Sequence, residues 1–219
     1  MSVAENINKI KAQLPATVTL VAVSKTKPVN DLMQAYNAGQ RVFGENKIQE
    51  MTDKWSQMPK DIQWHMIGHV QTNKVKLMAE YVNLIHGVDS LKLLAEINKQ
   101  AKKYNRSVNC LLQLHIAAEE TKFGLDEVEL YQILNSDEFK QMQNINISGL
   151  MGMATFTSDQ KQIAKEFSNL KAIFDKIQPL KSQNSTLDTL SMGMSGDYLL
   201  AIACGSTMIR VGSSIFGSR

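Results

Sequence analysis

The sequence predicts an α/β protein, a single domain over residues 1–219 folded as a (β/α)8 barrel of the TIM type. Three observations predict it. Short apolar, β-branched runs alternate with segments of helical spacing along the whole chain, the pattern of a parallel sheet whose crossovers are helices. Eight such runs occur and seven are followed by a helix, the number that closes a barrel. An open doubly wound sheet normally carries a glycine-rich turn after its first strand, whereas here that strand runs into Ser24-Lys25-Thr26-Lys27-Pro28.

The elements follow in order from the period of the apolar residues. Helical spacing covers Val3 to Leu14, and Thr17 to Val23, bounded by Pro15 and Ser24, reads as a buried strand. The alternation then gives helix Val29 to Ala38, strand Arg41 to Glu45, helix Lys47 to Met58, strand Gln63 to Val70, helix Asn73 to Tyr81, strand Val82 to Val88 and helix Ser90 to Tyr104. The second half gives strand Val108 to Ile116, helix Asp126 to Asn135, strand Ile147 to Met153, helix Ser158 to Ile177, strand Leu187 to Met194, a short helix Gly196 to Ala203 and strand Met208 to Ile215. No repeat, low-complexity tract or linker interrupts this order; Gln178 to Ser185 is polar but only loop-sized. Gly217, Ser218 and Arg219 end the chain, leaving no length for a second domain beyond the barrel.

Composition narrows the function. Apolar residues make up 43% of the chain, enough for a sizeable core. Lys and Arg number 24 against 21 Asp and Glu, and the net charge of +3 is spread out rather than blocked, so a nucleic-acid footprint is not expected. Only Cys110 and Cys204 are present, each in an apolar stretch, which excludes a disulfide framework or a cysteine metal cluster and marks both as buried hydrophobes. Val18 to Val23 is too short to span a membrane, and Met1 to Lys11 lacks the charge gradient of a signal peptide, so a reducing cytoplasm is the expected setting.

In a (β/α)8 barrel the chemistry gathers at the C-terminal ends of the strands. Lys25 closes the first. Its ammonium would be costly to bury without a partner, so it either snorkels to solvent, as suits Lys27 better, or serves as a nucleophilic amine for Schiff-base formation. The second strand ends Phe43-Gly44-Glu45-Asn46, where Asn46 can cap the next helix or orient a polar ring substituent. Strands seven and eight lead into Met192-Gly193-Met194-Ser195-Gly196-Asp197 and Arg210-Val211-Gly212-Ser213-Ser214. Each alone reads as a turn with a Ser195 helix cap. Together, at the two strand ends where barrels often bind phosphate, their glycines and hydroxyls suggest an anion cradle. Arg210 lies two residues before Gly212, so both face the barrel interior, where a guanidinium must meet an acid, a phosphate or an acceptor nitrogen. An imine-forming lysine, a phosphate cradle and an arginine suited to a pyridine nitrogen together suggest pyridoxal 5′-phosphate.

Longer motifs carry a resemblance. Ala22-Val23-Ser24-Lys25-Thr26-Lys27-Pro28, Phe43-Gly44-Glu45-Asn46, Trp64-His65-Met66-Ile67-Gly68 with Gln71-Thr72-Asn73-Lys74, Gly149-Leu150-Met151, Leu190-Ser191-Met192-Gly193-Met194-Ser195 and Gly205-Ser206-Thr207-Met208-Ile209-Arg210-Val211-Gly212 stand in order over nearly the whole chain. In these the chain resembles the YggS/PROSC family of pyridoxal phosphate homeostasis proteins. Its barrel is similar to the N-terminal domain of alanine racemase, fold type III among pyridoxal phosphate proteins. The resemblance implies Lys25 as the Schiff-base lysine, Asn46 near the ring, Arg210 facing the pyridine nitrogen, and Ser195, Gly212 and Ser213 at the phosphate. The chain departs from the family pattern at His115, where many relatives have Asn, and at Ser213, where Thr is common and the hydroxyl is kept.

Other conspicuous residues have ordinary readings. His65, His69, His86 and His115 form no metal pattern and read as core or rim histidines. Met151, Met153, Met192 and Met194 recur at period two, which suits barrel-interior packing, and Lys122 reads as a solvent lysine in a turn. Two functions compete. One is a cofactor-binding protein that holds pyridoxal phosphate and hands it on within vitamin B6 homeostasis. The other is an amino-acid racemase, which needs a base on each face of the substrate imine. Lys25 supplies one base, and in the racemases that the barrel resembles the other is a Tyr from a C-terminal domain, for which no chain remains. The expectation is therefore a binding protein with no catalytic residue and no metal. Its partners would be the cofactor, small amino acids as external aldimines and transiently docked apoenzymes, with the chain itself a monomer.

Overall fold

Eight parallel strands close on themselves in chain order: β1 (Thr19–Val23), β2 (Val42–Glu45), β3 (Gln63–Met66), β4 (Leu84–Val88), β5 (Val108–Gln113), β6 (Ile145–Met151), β7 (Ser185–Ser191) and β8 (Met208–Val211). The computed structural model describes residues 2–119 and 123–217; Lys122 lies outside the described residues. Closure sets the last strand beside the first, with Val21 opposite Arg210 and Ala22 opposite Val211. Nine helices pack outside the barrel among the described residues: α1 (Val3–Lys11), α2 (Val29–Asn37), α3 (Ile48–Gln57), α4 (Leu91–Lys103), α5 (Glu127–Asn135), α6 (Asp137–Lys140), α7 (Gln160–Ile177), α8 (Tyr198–Ala203) and α9 (Ser213–Phe216). None of the described helices is long and apolar enough to cross a membrane.

Local chemistry explains the helix starts. Ser2 and Glu5 form a capping box at α1, Asp126 and Glu129 form another at α5, and Ser90 and Asp159 cap α4 and α7 through their side chains. Alternation along the strands divides the core in two. The outward residues, among them Phe43, Trp64, Ile85 and Leu112, pack with helix residues such as Leu94, Phe167 and Leu170. The inward residues Val21, Leu84, Leu111, Met151 and Met208 form a smaller cluster inside the barrel, with Val42, Ile67 and Met153 against it. Gly149 lets β6 and β7 approach closely, since a Cβ there would lie 1.8 Å from the Thr189 carbonyl oxygen.

Strand C-termini differ from the sequence reading. β3 stops at Met66 rather than Val70, β5 at Gln113 rather than Ile116, β7 at Ser191 rather than Met194, and β8 at Val211 rather than Ile215. At β8 the Gly212 carbonyl accepts from the Ile215 and Phe216 N–H groups and turns the chain into α9. Ile215 and Phe216, apolar as strand residues would be, are buried there instead, and Asn6 on α1 donates to the Ile215 carbonyl at 2.9 Å. A buried helix face and a buried strand give the same short apolar run. Thr72–Leu77 is a 3₁₀ segment where the spacing predicts an α-helix from Asn73 to Tyr81. The methionine stripe also divides: Met151 and Met153 belong to the interior, Met192 joins the outer core, and Met194 is exposed.

Candidate functional site

The C-terminal strand ends open into a cavity of about 590 Å³. All six residues singled out from the sequence, Lys25, Asn46, Ser195, Arg210, Gly212 and Ser213, line it. Lys25 stands two residues beyond the end of β1 rather than closing it. Among the described residues its ammonium has no hydrogen-bond or ion-pair partner. Lys27 also reaches the cavity, but its Nζ donates to the Phe216 carbonyl at 3.1 Å. Asn46 does not cap a helix: Lys47 occupies the N-cap of α3, with no side-chain capping bond. Gly68 permits Asn46 its place, because a Cβ at 68 would lie 2.5 Å from the Asn46 carbonyl oxygen.

The phosphate-cradle segments meet, with one change of partner. Ser195 is not the cap of α8, whose N-cap is Asp197. Its Oγ accepts instead from the Gly212 N–H at 3.2 Å, so it ties the β7 and β8 loops together and keeps its own proton for another acceptor. The Gly212 N–H is thereby spent. The Ser213 and Ser214 N–H groups, at the first two positions of α9, have no acceptor within the helix. Gly212 leaves little room beyond itself: a Cβ there would lie 3.1 Å from the Val23 carbonyl oxygen.

Arg210 is buried inside the barrel, as its alternation with Gly212 requires. Nη1 donates to the Ser191 carbonyl at 3.0 Å and to Ser191 Oγ at 2.6 Å, and Nη2 donates to the Gly152 carbonyl at 3.0 Å. Among the described residues Nε takes no acceptor. Burial brings the guanidinium pKa down to about 10, with Asp197 acting in the opposite direction. Ser191 Oγ lies 3.2 Å from His86 Nδ1, and His86 Nε2 lies 3.0 Å from His65 Nδ1. A line of polar side chains thus crosses the interior from β8 to β3. Burial holds His65 down to about 3 and, with His65 and Arg210 nearby, holds His86 well below its ordinary value, so both imidazoles are neutral at pH 7.

Several lining residues had no sequence signal. Phe123 and Phe156 stand on loops at the rim, and His69 stacks on Phe123 at 4.7 Å while pairing with Asp89 at 3.5 Å. Strand periodicity says nothing about loop positions, which is why these escaped it. Gln113, the last residue of β5, also lines the cavity and donates to the Phe123 carbonyl at 2.8 Å. His115 lies close behind, its Nε2 donating to the Glu119 carbonyl at 2.8 Å, so it braces the β5–α5 loop. Among the described residues no group of three or more His, Cys, Asp or Glu is gathered as a metal site.

Fold and site together define a (β/α)8 barrel of the alanine racemase N-terminal kind with a donor-rich cavity at its strand ends. The chain matches the family described as alanine racemase, N-terminal domain, over residues 1–219. It is 36% identical over 233 residues to a pyridoxal phosphate homeostasis protein of Vibrio alginolyticus, covering 100% of this chain and 98% of that one. PipY of Synechococcus elongatus PCC7942, 35% identical, superposes without PLP at a TM-score of 0.92 and with PLP bound at 0.89, each over 99% of this chain and 100% of that one. The chain belongs to the YggS/PROSC family of pyridoxal phosphate homeostasis proteins. Alanine racemase from E. faecalis shares the fold at a TM-score of 0.75 and 17% identity, with 58% of its length covered.

The interior histidines make stability depend on acid. In the unfolded chain each imidazole binds a proton near pH 6.5, while in the barrel His65 does so only at about 3. Between those values the unfolded chain holds more protons, so stability is full above pH 6.5 and declines as pH falls toward 3. Urea titrations of the wild type across this window should show a slope steeper by about 1.4 kcal/mol per pH unit than those of His65→Gln. Equal slopes would show that His65 titrates normally in the fold.

Proposed function

We propose that this chain holds pyridoxal 5′-phosphate on Lys25 and releases it to acceptors, as a reserve in vitamin B6 homeostasis. The observation that carries this reading is a set of polar groups on the cavity wall: a lysine amine with no partner among the described residues, beside donors that have no acceptor among the described residues. These are Arg210 Nε, the Ser195 hydroxyl and the Ser213 N–H group, all on lining residues. Such a set suits a ligand with an electrophilic carbon, a ring acceptor nitrogen and a phosphate. The names of the relatives and the PLP-bound structure of PipY support the same reading.

When bound, pyridoxal phosphate supplies an aldehyde that condenses with a primary amine and loses water. The chain's residues do the rest. Lys25 would offer the amine from a partly buried wall, Ser195 and the Ser213 N–H group would hold the phosphate, and Asn46 would face the ring. Arg210 would serve as a donor to the ring nitrogen. A guanidinium has no lone pair to accept a proton from that nitrogen, so it favours the unprotonated ring, which withdraws electrons weakly. That disfavours proton abstraction from a bound amino acid. A racemase needs a second base opposite Lys25. Among the described lining residues there is no tyrosine, and Lys27 is engaged with Phe216. Amino acids and apoenzyme lysines are then acceptors of the cofactor rather than substrates to be turned over.

The test is a visible spectrum of the purified protein loaded with the cofactor, followed by borohydride reduction and peptide mapping. The cofactor should be fixed to Lys25, and Lys25→Ala should lose the band without losing the fold. Fixation at Lys27 or Lys74 would reject the assignment. Steady change of optical rotation with single amino-acid enantiomers, abolished by Lys25→Ala, would favour the racemase instead. Gly212→Asp sets a carboxylate against the phosphate and should weaken cofactor retention by about tenfold or more in dialysis. Unchanged retention would remove the phosphate from this cradle.

A further inference from the structure

We propose that the buried cluster of Lys54, Glu50 and Glu45 is the positioning device that makes Lys25, and not Lys27, the lysine that takes the cofactor. The proposal rests on the cofactor reading above. Lys54 projects from α3 with its side chain 7% exposed, and its ammonium has three donors for three acceptors: the Ser24 carbonyl at 2.8 Å, Glu45 Oε1 at 2.7 Å and Glu50 Oε1 at 2.7 Å. Glu50 Oε1 also accepts from the Thr26 N–H at 2.6 Å. The peptide groups before and after Lys25 are therefore both held by one charged cluster. Ser24 adds a side-chain bond, donating from Oγ to Glu45 Oε1 at 2.6 Å.

Backbone geometry shows what this restraint does. Thr26 has φ 64°, in the left-handed region that a β-branched residue rarely adopts. The chain reverses there, and the Lys27 N–H donates back to the Ser24 carbonyl at 3.1 Å. Two lysines two positions apart thus receive different surroundings: Lys27 is drawn to the Phe216 carbonyl, and Lys25 is left facing the cavity. Glu45 precedes Asn46, so the same cluster anchors a second lining residue. Glu45 is fully buried, and among the described residues its Oε2 has no partner. A buried ion pair does not by itself imply more than packing, since hydrophobic residues often replace one without loss. What points to positioning is where the bonds end: on the two peptide groups that flank Lys25.

The experiment compares Glu50→Ala with Glu50→Gln, which keeps an acceptor for the Thr26 N–H. The side chain of Glu50 is 24% exposed, so neither change strands a deeply buried charge. Amide hydrogen exchange on the protein without cofactor reads the loop, and borohydride mapping of the loaded protein reads the choice of lysine. Glu50→Ala should speed exchange at Thr26 by about tenfold or more while β1 keeps its protection, and should divide the cofactor between Lys25 and Lys27; Glu50→Gln should restore both. A Thr26 amide that exchanges faster while the cofactor stays wholly on Lys25 would overturn the proposal. So would unchanged exchange in Glu50→Ala. Should Glu50→Ala fail to fold, the double variant Lys54→Met/Glu45→Met, which removes the buried pair together with its bonds to Ser24 and leaves the Thr26 N–H its acceptor, is held to the mapping outcome alone: the cofactor should divide between Lys25 and Lys27, and a cofactor wholly on Lys25 would overturn the proposal. If the unmodified protein fixes no cofactor at Lys25 or Lys27, the cofactor reading falls and the positioning proposal with it.

Discussion

A guanidinium inside the barrel is the constraint on which the interior depends. Arg210 stays charged at neutral pH although almost wholly buried, yet its hydrogen-bond acceptors among the described residues are neutral: two carbonyls and a hydroxyl. Those acceptors come from β7 and from the residue after β6, and the hydroxyl leads on to His86 on β4 and His65 on β3. One cation thereby dictates polar residues on several strands of a barrel that would otherwise be filled by Val, Leu and Met. An acid in place of Ser191 would satisfy the charge more fully and would also consume Arg210 as a donor. Neutral acceptors leave the guanidinium with unspent hydrogen-bonding capacity toward the cavity.

Closure of the sheet supplies the other half of the site. Because β8 pairs with β1, residues from opposite ends of the chain become neighbours: Val21 opposes Arg210, and Gly212 packs against Val23. The lysine loop after β1 and the cradle after β8 are thus two edges of one seam, and Ser195 binds the β7 loop into it. The cluster of Lys54, Glu50 and Glu45 holds the β1 side of the seam from the helix layer. Site geometry is in this sense a product of barrel topology, with few residues devoted to it alone.

Much of this was legible in the residues. Strict βα alternation gave the barrel, and strand-end position together with the longer motifs picked out Lys25, Asn46, Ser195, Arg210, Gly212 and Ser213, which all line the cavity. The losses share a cause. Ser213 to Ile215 read as strand because a buried helix and a buried strand look alike over so few residues. Taken singly, Ser195 and Asn46 could equally have been helix caps, as small polar residues before a helix often are. Their actual partners, a backbone N–H seventeen residues away for Ser195 and the cavity for Asn46, depend on loop closure. Lys54 was invisible for the opposite reason: a lysine on an amphipathic helix ordinarily faces solvent, and nothing local announces that this one is buried against two carboxylates.

The central claim is that Arg210 acts toward the bound ring as a donor only. The most direct measurement is the ¹⁵N chemical shift of the ring nitrogen in protein loaded with ring-labelled pyridoxal phosphate at neutral pH. The account predicts the shift of an unprotonated, hydrogen-bonded pyridine nitrogen, moving toward the protonated value in Arg210→Glu. A pyridinium shift in the unmodified protein would contradict it.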